Sequence, residues 1–428
     1  MLVLGEKMSG HKKQITDMAK GAARAALNSQ AISSDNKNHM LNEMADALCA
    51  GMKDLIKANK LDLKAANSSG VSRSMIDRLT LDEIRIQAMA ESLREIAVLP
   101  DPVGEVIKAW RRPNGLWIHK VRVPIGVIAI IYESRPNVTS DCVGLCFKSG
   151  NSVILRGGSE ALNSNLCIYK IIKAVLKNNG VDEGLVNMIE TPDREAVDDL
   201  LKLNEYIDLV MPRGGEELIK KVIKVSRIPV IKHFKGVCHV YVDEWAELNM
   251  ATDICLNAKI QRPGVCNAME SLLVHQDSAA RFLPGMLKKF SGAQVEIRGC
   301  EQTRKICKNL EIKKATEKDY ATEYLRLAVS VKVVENLDAA IAHINKYGSR
   351  HSDTIVTENY DNALKFLRLV DSACVYVNAS TRFTDGNQFG MGAEIGISTD
   401  KLHARGPMGL EELTSYKYMI FGNGQIRK

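Results

Sequence analysis

The sequence predicts an α/β fold of two lobes on mostly parallel sheets, with a hairpin and a C-terminal strand set apart from them. Three observations carry this. Short continuous apolar runs, such as 127–131 and 152–156, alternate with helical stretches, as expected of strands buried on both faces in βαβ units. The same alternation restarts after Asp243. A chain of 428 residues also exceeds one small domain, so two or three lobes are expected.

Taken in order, the first hundred residues read helical. Residues 36–59 repeat Met40, Leu41, Met44, Leu48, Met52, Leu55 and Ile56 at helical spacing, with Asp35 as the cap, and Pro100 and Pro102 close the region. Arg112-Pro113-Asn114-Gly115-Leu116 between Trp110 and Trp117 signals a hairpin over 110–124, with Pro113 confining one arm to an edge. Its tryptophans mark a candidate subunit interface. Strands follow at 127–131, 152–156, 186–189, 208–212, 228–231 and 239–242, with a helix over 161–177. The second lobe has strands at 271–275, 328–334, 354–357 and 373–378 and helices at 279–290, 337–346 and 360–370. A glycine-rich stretch from Thr384 leads to a strand near 416–421, expected to pair with the hairpin of a neighbouring subunit in a homo-oligomer. The domains are therefore drawn as 1–107 with 125–243 for a nucleotide, 244–390 for catalysis, and 108–124 with 391–428 for oligomerisation.

Composition narrows the function. With 45% apolar and 25% charged residues the chain is ordinary for a globular protein. No run of eighteen uncharged apolar residues is present, so no membrane span is expected. The N-terminus turns polar and basic after four apolar residues, unlike a secretory signal, and a cytoplasmic location is expected. The ten cysteines include no CxxC pair, so they read as reduced thiols, mostly structural, and no metal is expected. The net charge of +7 comes from bases interspersed with acids, without an aromatic-rich basic module, which argues against nucleic acid. A phosphate-bearing small substrate or cofactor accounts for it.

Two strand-to-helix turns share a signature, Arg156-Gly157-Gly158-Ser159-Glu160 and Arg213-Gly214-Gly215-Glu216-Glu217. Glycine there lets backbone approach a ligand, the helix N-terminus attracts anions, and an arginine forks onto phosphate. Neither turn fits GxGxxG, and glycine at such a turn is as often a steric requirement.

The segment Gln261-Arg262-Pro263-Gly264-Val265-Cys266-Asn267-Ala268 sets one cysteine in a Pro/Gly turn before an apolar run fit for a helix or a buried strand. An arbitrary cysteine is more often a small buried hydrophobe. A thiol at a helix N-terminus is instead activated by the backbone dipole, and Cys266 is taken as a nucleophile on that argument together with the family likeness that follows.

Four stretches carry that likeness: 132–139 (Tyr-Glu-Ser-Arg-Pro-Asn-Val-Thr), 154–161, 261–274, and 389–399 followed by 403–410. Through them nearly the whole chain resembles the aldehyde dehydrogenase superfamily, and within it the branch that reduces an acyl phosphate. The resemblance implies a Rossmann-like cofactor domain beside a second α/β catalytic domain. It implies NADPH-dependent reduction of L-γ-glutamyl 5-phosphate to L-glutamate 5-semialdehyde with release of phosphate, the second step of proline synthesis from glutamate. Cys266 then forms a thioacyl enzyme, and Asn137 matches the amide that stabilises the oxyanion with the cysteine N–H, a donor worth on the order of 3 kcal/mol. By sequence alone Asn137 is a turn residue after Pro136.

Hydrolytic members carry a glutamate base shortly after the last cofactor-domain strand. Here 231–236 reads Ile-Lys-His-Phe-Lys-Gly, without a carboxylate, which fits a reductase that guards its thioester from water; His233 is an alternative base. Arg156, followed by the small Gly157, Gly158 and Ser159, suits a 2′-phosphate and hence NADPH over NADH, with Arg213, Gly214 and Gly215 as further cofactor contacts. Glu323 matches a carboxylate on the nicotinamide ribose, or is a solvated surface acid. Arg135, Glu394, His403 and Arg405 are candidates for the amino-acid end of the substrate. A glutamate 5-kinase is a candidate partner. A hydrolytic or CoA-acylating dehydrogenase and an inert kinase-binding scaffold stay open as alternatives.

Overall fold

In the computed structural model, residues 10–232 and 235–427 are described. Residues 1–9, on which the reading of the N-terminus partly rests, and His233 lie outside them. The chain divides into two compact units, one of 1–232, 390–396 and 408–428, the other of 233–389 and 397–407.

The first unit opens with helices Gly10–Ser29, Ser34–Ala50, Met52–Ser68, Arg73–Leu79 and Glu83–Val98. The single helix expected over 36–59 is two, broken at Gly51, where a Cβ would lie 2.7 Å from Ile171 Cδ1. The cap is Ser33, whose hydroxyl accepts from the Asn36 N–H, and Asp35 lies within the first turn. The hairpin is β1 (Val106–Arg111) and β2 (Trp117–Pro124). The apolar runs form β3 (Val127–Tyr132), β4 (Ser152–Arg156), β5 (Val186–Met188) and β6 (Leu209–Arg213), a parallel sheet in the order β5-β4-β3-β6. Ile15, Ala19, Ala22 and Ala26 recur at helical spacing and pack on Val127, Ala129, Ile131 and Ile154, the small alanines letting helix and sheet approach closely. The strand expected at 228–231 is a single bridge from Val230 to Val210, because Pro229 has no N–H to extend the ladder.

β7 (Cys238–Val242), expected as the last strand of the first lobe, belongs to the second unit. With β8 (Met269–His275), β9 (Glu296–Gly299), β10 (Lys313–Lys314), β11 (Ala328–Val334), β12 (Ser352–Val356) and β13 (Cys374–Val377) it forms a parallel sheet in the order β10-β9-β11-β8-β7-β12-β13. Its own residues explain the placement. Val240 and Val242 pack with Leu272, Val331 and Phe290 on one face, and Tyr241 packs with Leu273 and Phe366 on the other. A fully apolar run shows that a strand is buried, not which sheet buries it.

The short strands β14 (Gly396–Ser398) and β15 (Gly406–Met408) pair with each other. β16 (Thr414–Phe421) pairs antiparallel with β2 of its own chain, from Thr414 against Pro124 to Phe421 against Trp117, where the sequence suggested the hairpin of a neighbouring subunit. The hairpin leaves the far edge of β2 open, and the chain's own strand fills it. Trp117, Tyr416, Tyr418, Ile420 and Phe421 remain exposed on this three-stranded sheet. Among the described residues no helix is long and apolar enough to cross a membrane.

Candidate active site

Helix Leu248–Ile260 ends just before the Cys266 turn, and β8 begins just after it. The run after Cys266 is thus a strand, all seven residues buried, and the helix-dipole argument for its reactivity does not hold. Exposure and bracing distinguish this sulfur instead. Cys266 is partly exposed, as are Cys49, Cys167 and Cys300, whereas Cys142, Cys146, Cys238, Cys255, Cys307 and Cys374 are buried, so it is exposure combined with the bracing of its turn that sets Cys266 apart. Burial pushes the Cys142 thiol up to about 12 and those of Cys146 and Cys238 well above their ordinary value, which makes them poor nucleophiles.

The backbone of Cys266 is held tightly. A Cβ on Gly236 would fall 1.8 Å from the Cys266 carbonyl oxygen, so only glycine fits there. The Cys238 thiol donates to that same oxygen at 3.2 Å. The Gly236 N–H donates to Glu323 Oε1 at 2.8 Å, so Glu323 is a half-buried bracing acid and not a solvated one. Across the turn, Arg382 Nε donates to Gln261 Oε1 at 2.9 Å and its Nη1 to Asn267 Oδ1. Asn267 is fixed in turn by Thr381 Oγ1 on its carbonyl (2.7 Å) and by donation to the Thr384 carbonyl (2.8 Å).

A fully buried ion pair staples the base of the turn. Lys259 Nζ, at the end of the preceding helix, lies 2.6 Å from Glu270 Oε2 at the start of β8. Glu270 Oε1 also accepts the N–H of Leu325, which is held at φ 53°, a left-handed conformation uncommon outside glycine. Burial drives the Glu270 carboxyl up to about 7 against the opposing pull of Lys259, and burial lowers Lys259. Beside this network a cavity of about 560 Å³ is lined by Arg298, Lys313, Lys314, Lys318 and Arg326, with Glu323 and Tyr324 in its wall.

Asn137 opens helix Asn137–Lys148 in the first unit, with its side chain exposed. Its Nδ2 donates to Asp141 Oδ2 at 3.1 Å, and Ser92 Oγ donates to the other carboxylate oxygen at 2.9 Å. Burial raises the Asp141 carboxyl. Arg135 is half-buried, after Ser134 at φ 56°.

The glycine turns have steric reasons of their own. A Cβ on Gly157 would lie 2.1 Å from Asn165 Nδ2, one on Gly158 2.1 Å from Glu160 Oε1, and one on Gly214 2.4 Å from Glu133 Oε2. The Gly215 N–H, expected to face a phosphate, donates to Glu133 Oε2 at 2.9 Å, and Glu160 accepts from the Ser134 N–H. Arg156 donates to the carbonyls of Gly157 (2.9 Å) and Pro192 (3.0 Å), and its Nε is buried without a partner. Burial lowers its guanidinium. Ser159 opens a 3₁₀ turn, and Arg213 lies against Gly396.

Cys266 and Glu323 are therefore linked through Gly236 in the second unit, while Asn137, Arg156 and Arg213 belong to the first. Glu394 is half-buried in the first unit. In the second, His403 is exposed at φ 70°, and Arg405 is committed to Asp371 through both its carbonyl (2.9 Å) and its carboxylate (2.8 Å). Among the described residues Glu244, His275 and Asp277 stand close enough to share a metal, but His275 Nδ1 is engaged in capping the helix that starts at Gln276. Arg382, Lys259, Glu270 and Asp141 escaped the sequence reading. Of these only Glu270 leaves a local trace, a charge inside the apolar run of β8.

The family model for the aldehyde dehydrogenase family matches residues 2–304. The gamma-glutamyl phosphate reductase of Thermodesulfovibrio yellowstonii is 57% identical over 417 residues, 97% of this chain and 99% of that protein. That of a Thermoanaerobacter species is 58% identical over 410 residues, 96% and 99% of the two chains. The crystal structure of gamma-glutamyl phosphate reductase from Thermotoga maritima superimposes with a TM-score of 0.94 at 48% identity, covering 97% of this chain and all of that one.

Proposed function

The chain belongs to the aldehyde dehydrogenase family, and we propose that within it this protein reduces L-γ-glutamyl 5-phosphate to L-glutamate 5-semialdehyde and phosphate, the second step of proline synthesis from glutamate. The observation that carries the chemistry is a partly exposed Cys266 on a rigidly braced turn, among thiols that are mostly buried. The Cys266 thiolate attacks the acyl carbon; a C–S bond forms, the C–O bond to phosphate breaks, and the electron pair leaves on phosphate. A nicotinamide cofactor held by the first unit would supply the hydride needed to take the thioester on Cys266 to a thiohemiacetal. Collapse of the thiohemiacetal breaks the C–S bond, frees the aldehyde and restores the thiolate.

Asn137 supplies an amide donor to the oxyanion. Its Nδ2 donates one N–H to Asp141, and the amide has a second N–H available for the oxyanion. Lack of a carboxylate over 231–236 removes the base that would hydrolyse the thioester. NADPH is the preferred cofactor. Arg156 donates to two neutral carbonyls and makes no ion pair among the described residues, although Glu160 and Glu133 act on it as neighbouring charges, and its buried Nε lacks a partner, which suits a 2′-phosphate. Gly157, Gly158, Ser159, Arg213, Gly214, Gly215 and Glu323 complete the proposed cofactor contacts. The exposed aromatic and apolar side chains of the β1-β2-β16 sheet are the proposed surface for a homo-oligomer.

The test is reduction of NADP by glutamate semialdehyde, which should require inorganic phosphate or arsenate. Cys266→Ser should lose nearly all turnover while keeping its Tm and cofactor binding. Turnover near wild type in that variant would overturn the mechanism.

A further inference from the structure

The Cys266 turn carries more positive charge than bracing requires. Arg262 is exposed on the turn itself, and half-buried Arg382 spans it from Gln261 to Asn267. Both acceptors of Arg382 are neutral amide oxygens. They fix the plane of the guanidinium without cancelling its charge, as a carboxylate would. Among the described residues neither arginine makes an ion pair; Asp385 acts on Arg382 only as a neighbouring charge. The two guanidiniums stand close enough to repel. Burial first, and Arg262 second, lower the pKa of Arg382, while Asp385 and the sulfur of Cys266 act in the opposite sense. Two cations held near each other beside a nucleophile, with no carboxylate in ion-pair contact among the described residues and only Asp385 as a neighbouring charge, are stabilised further by an anion that arrives from outside.

We propose that Arg382 and Arg262 form the subsite that holds the phosphoryl group of the acyl phosphate while it departs. The proposal deepens the acyl-phosphate reductase reading and rests on it. As the C–S bond forms, the C–O bond breaks and its electron pair moves onto a phosphate oxygen, so negative charge grows on the leaving group. Planar guanidinium forks match phosphate oxygens and stabilise that charge without transferring a proton. In the reverse direction the same subsite delivers inorganic phosphate to the thioester carbon. The pair therefore selects phosphate, over water or a thiol, as the group exchanged at Cys266.

The experiment is stopped-flow mixing of the full-length enzyme with NADP and glutamate semialdehyde, first without and then with graded inorganic phosphate. In wild type we expect a burst of about one NADPH per Cys266 without phosphate, and steady turnover only when phosphate is added. Arg262→Gln should keep the burst and raise the half-saturating phosphate about threefold, whereas Arg382→Gln should raise it about tenfold or more while slowing the burst by a smaller factor, and Arg382→Lys should recover part of the phosphate loss. Unchanged phosphate dependence in Arg382→Gln sinks the subsite, as does loss of the burst in parallel with the phosphate step, which makes Arg382 a brace alone. Should Arg382→Gln fail to fold, Arg262→Gln decides, because that side chain makes no hydrogen bond in the turn. Wild-type turnover that needs no phosphate would instead defeat the reductase reading itself.

Discussion

The turn that carries Cys266 and the glycine turns after β4 and β6 are all short connections, but their polar groups are engaged differently. Around Cys266 the holding contacts come from beneath and across: Gly236 against its carbonyl, Arg382 on two neutral amides, and Lys259 with Glu270 closing the base. In the glycine turns, carboxylates of the same chain stand close by. Glu133 takes the Gly215 N–H, and Glu160 lies against Gly158. The contrast is between a turn organised before substrate arrives and turns crowded by carboxylates, one of which already takes the Gly215 N–H.

Breaking the buried staple should have the largest effect. Lys259→Met or Glu270→Leu alone strands a charge in the interior, and each should cost about 3–5 kcal/mol of stability, read by denaturant melts. The double variant should regain most of that stability, since an apolar pair replaces an ionic one. Its kcat should not recover, because the Leu325 N–H then lacks its acceptor and the Glu323 segment is released. Recovery of both stability and kcat would show that the staple stabilises the turn without positioning it.

The second effect sharpens the other half of the comparison. If Arg156 meets a 2′-phosphate, Arg156→Glu should raise the Kd for NADPH by about tenfold or more and leave that for NADH within about threefold, by fluorescence titration. Equal losses for both cofactors would remove the case for a 2′-phosphate contact at this residue.

Much of this contrast was legible in the sequence, and its limits are physical. The strands of both sheets announce themselves as apolar runs, because burial on two faces leaves little room for polar residues. Cys266, the two glycine turns and the hairpin stand out by turn chemistry. What the sequence hides depends on partners distant in the chain. Arg382 lies 121 positions from the Gln261 it holds, and Gly236 meets Cys266 across a gap of thirty residues. β7 reads as a strand, yet its sheet is decided by Tyr241 and Val240 finding cores built from later segments. The glycine turns read as open to phosphate because side chains that fold back over them, such as Glu133, leave no periodic signal.

The smallest expected effect is also the most direct test of that last point. Glu133 is exposed, and its carboxylate occupies the Gly215 N–H that an anionic cofactor would use. Glu133→Gln keeps an oxygen able to accept that N–H but removes the charge that repels an incoming phosphate. An exposed charge interaction of this kind is worth about 0.2–1 kcal/mol, so the Kd for NADPH should fall by a factor of about 1.4 to 5 at low salt and the gain should fade as ionic strength rises. Weaker binding in Glu133→Gln would mean that the carboxylate shapes the turn for the cofactor and does not compete with it. The glycine turns would then be as preorganised as the turn of Cys266.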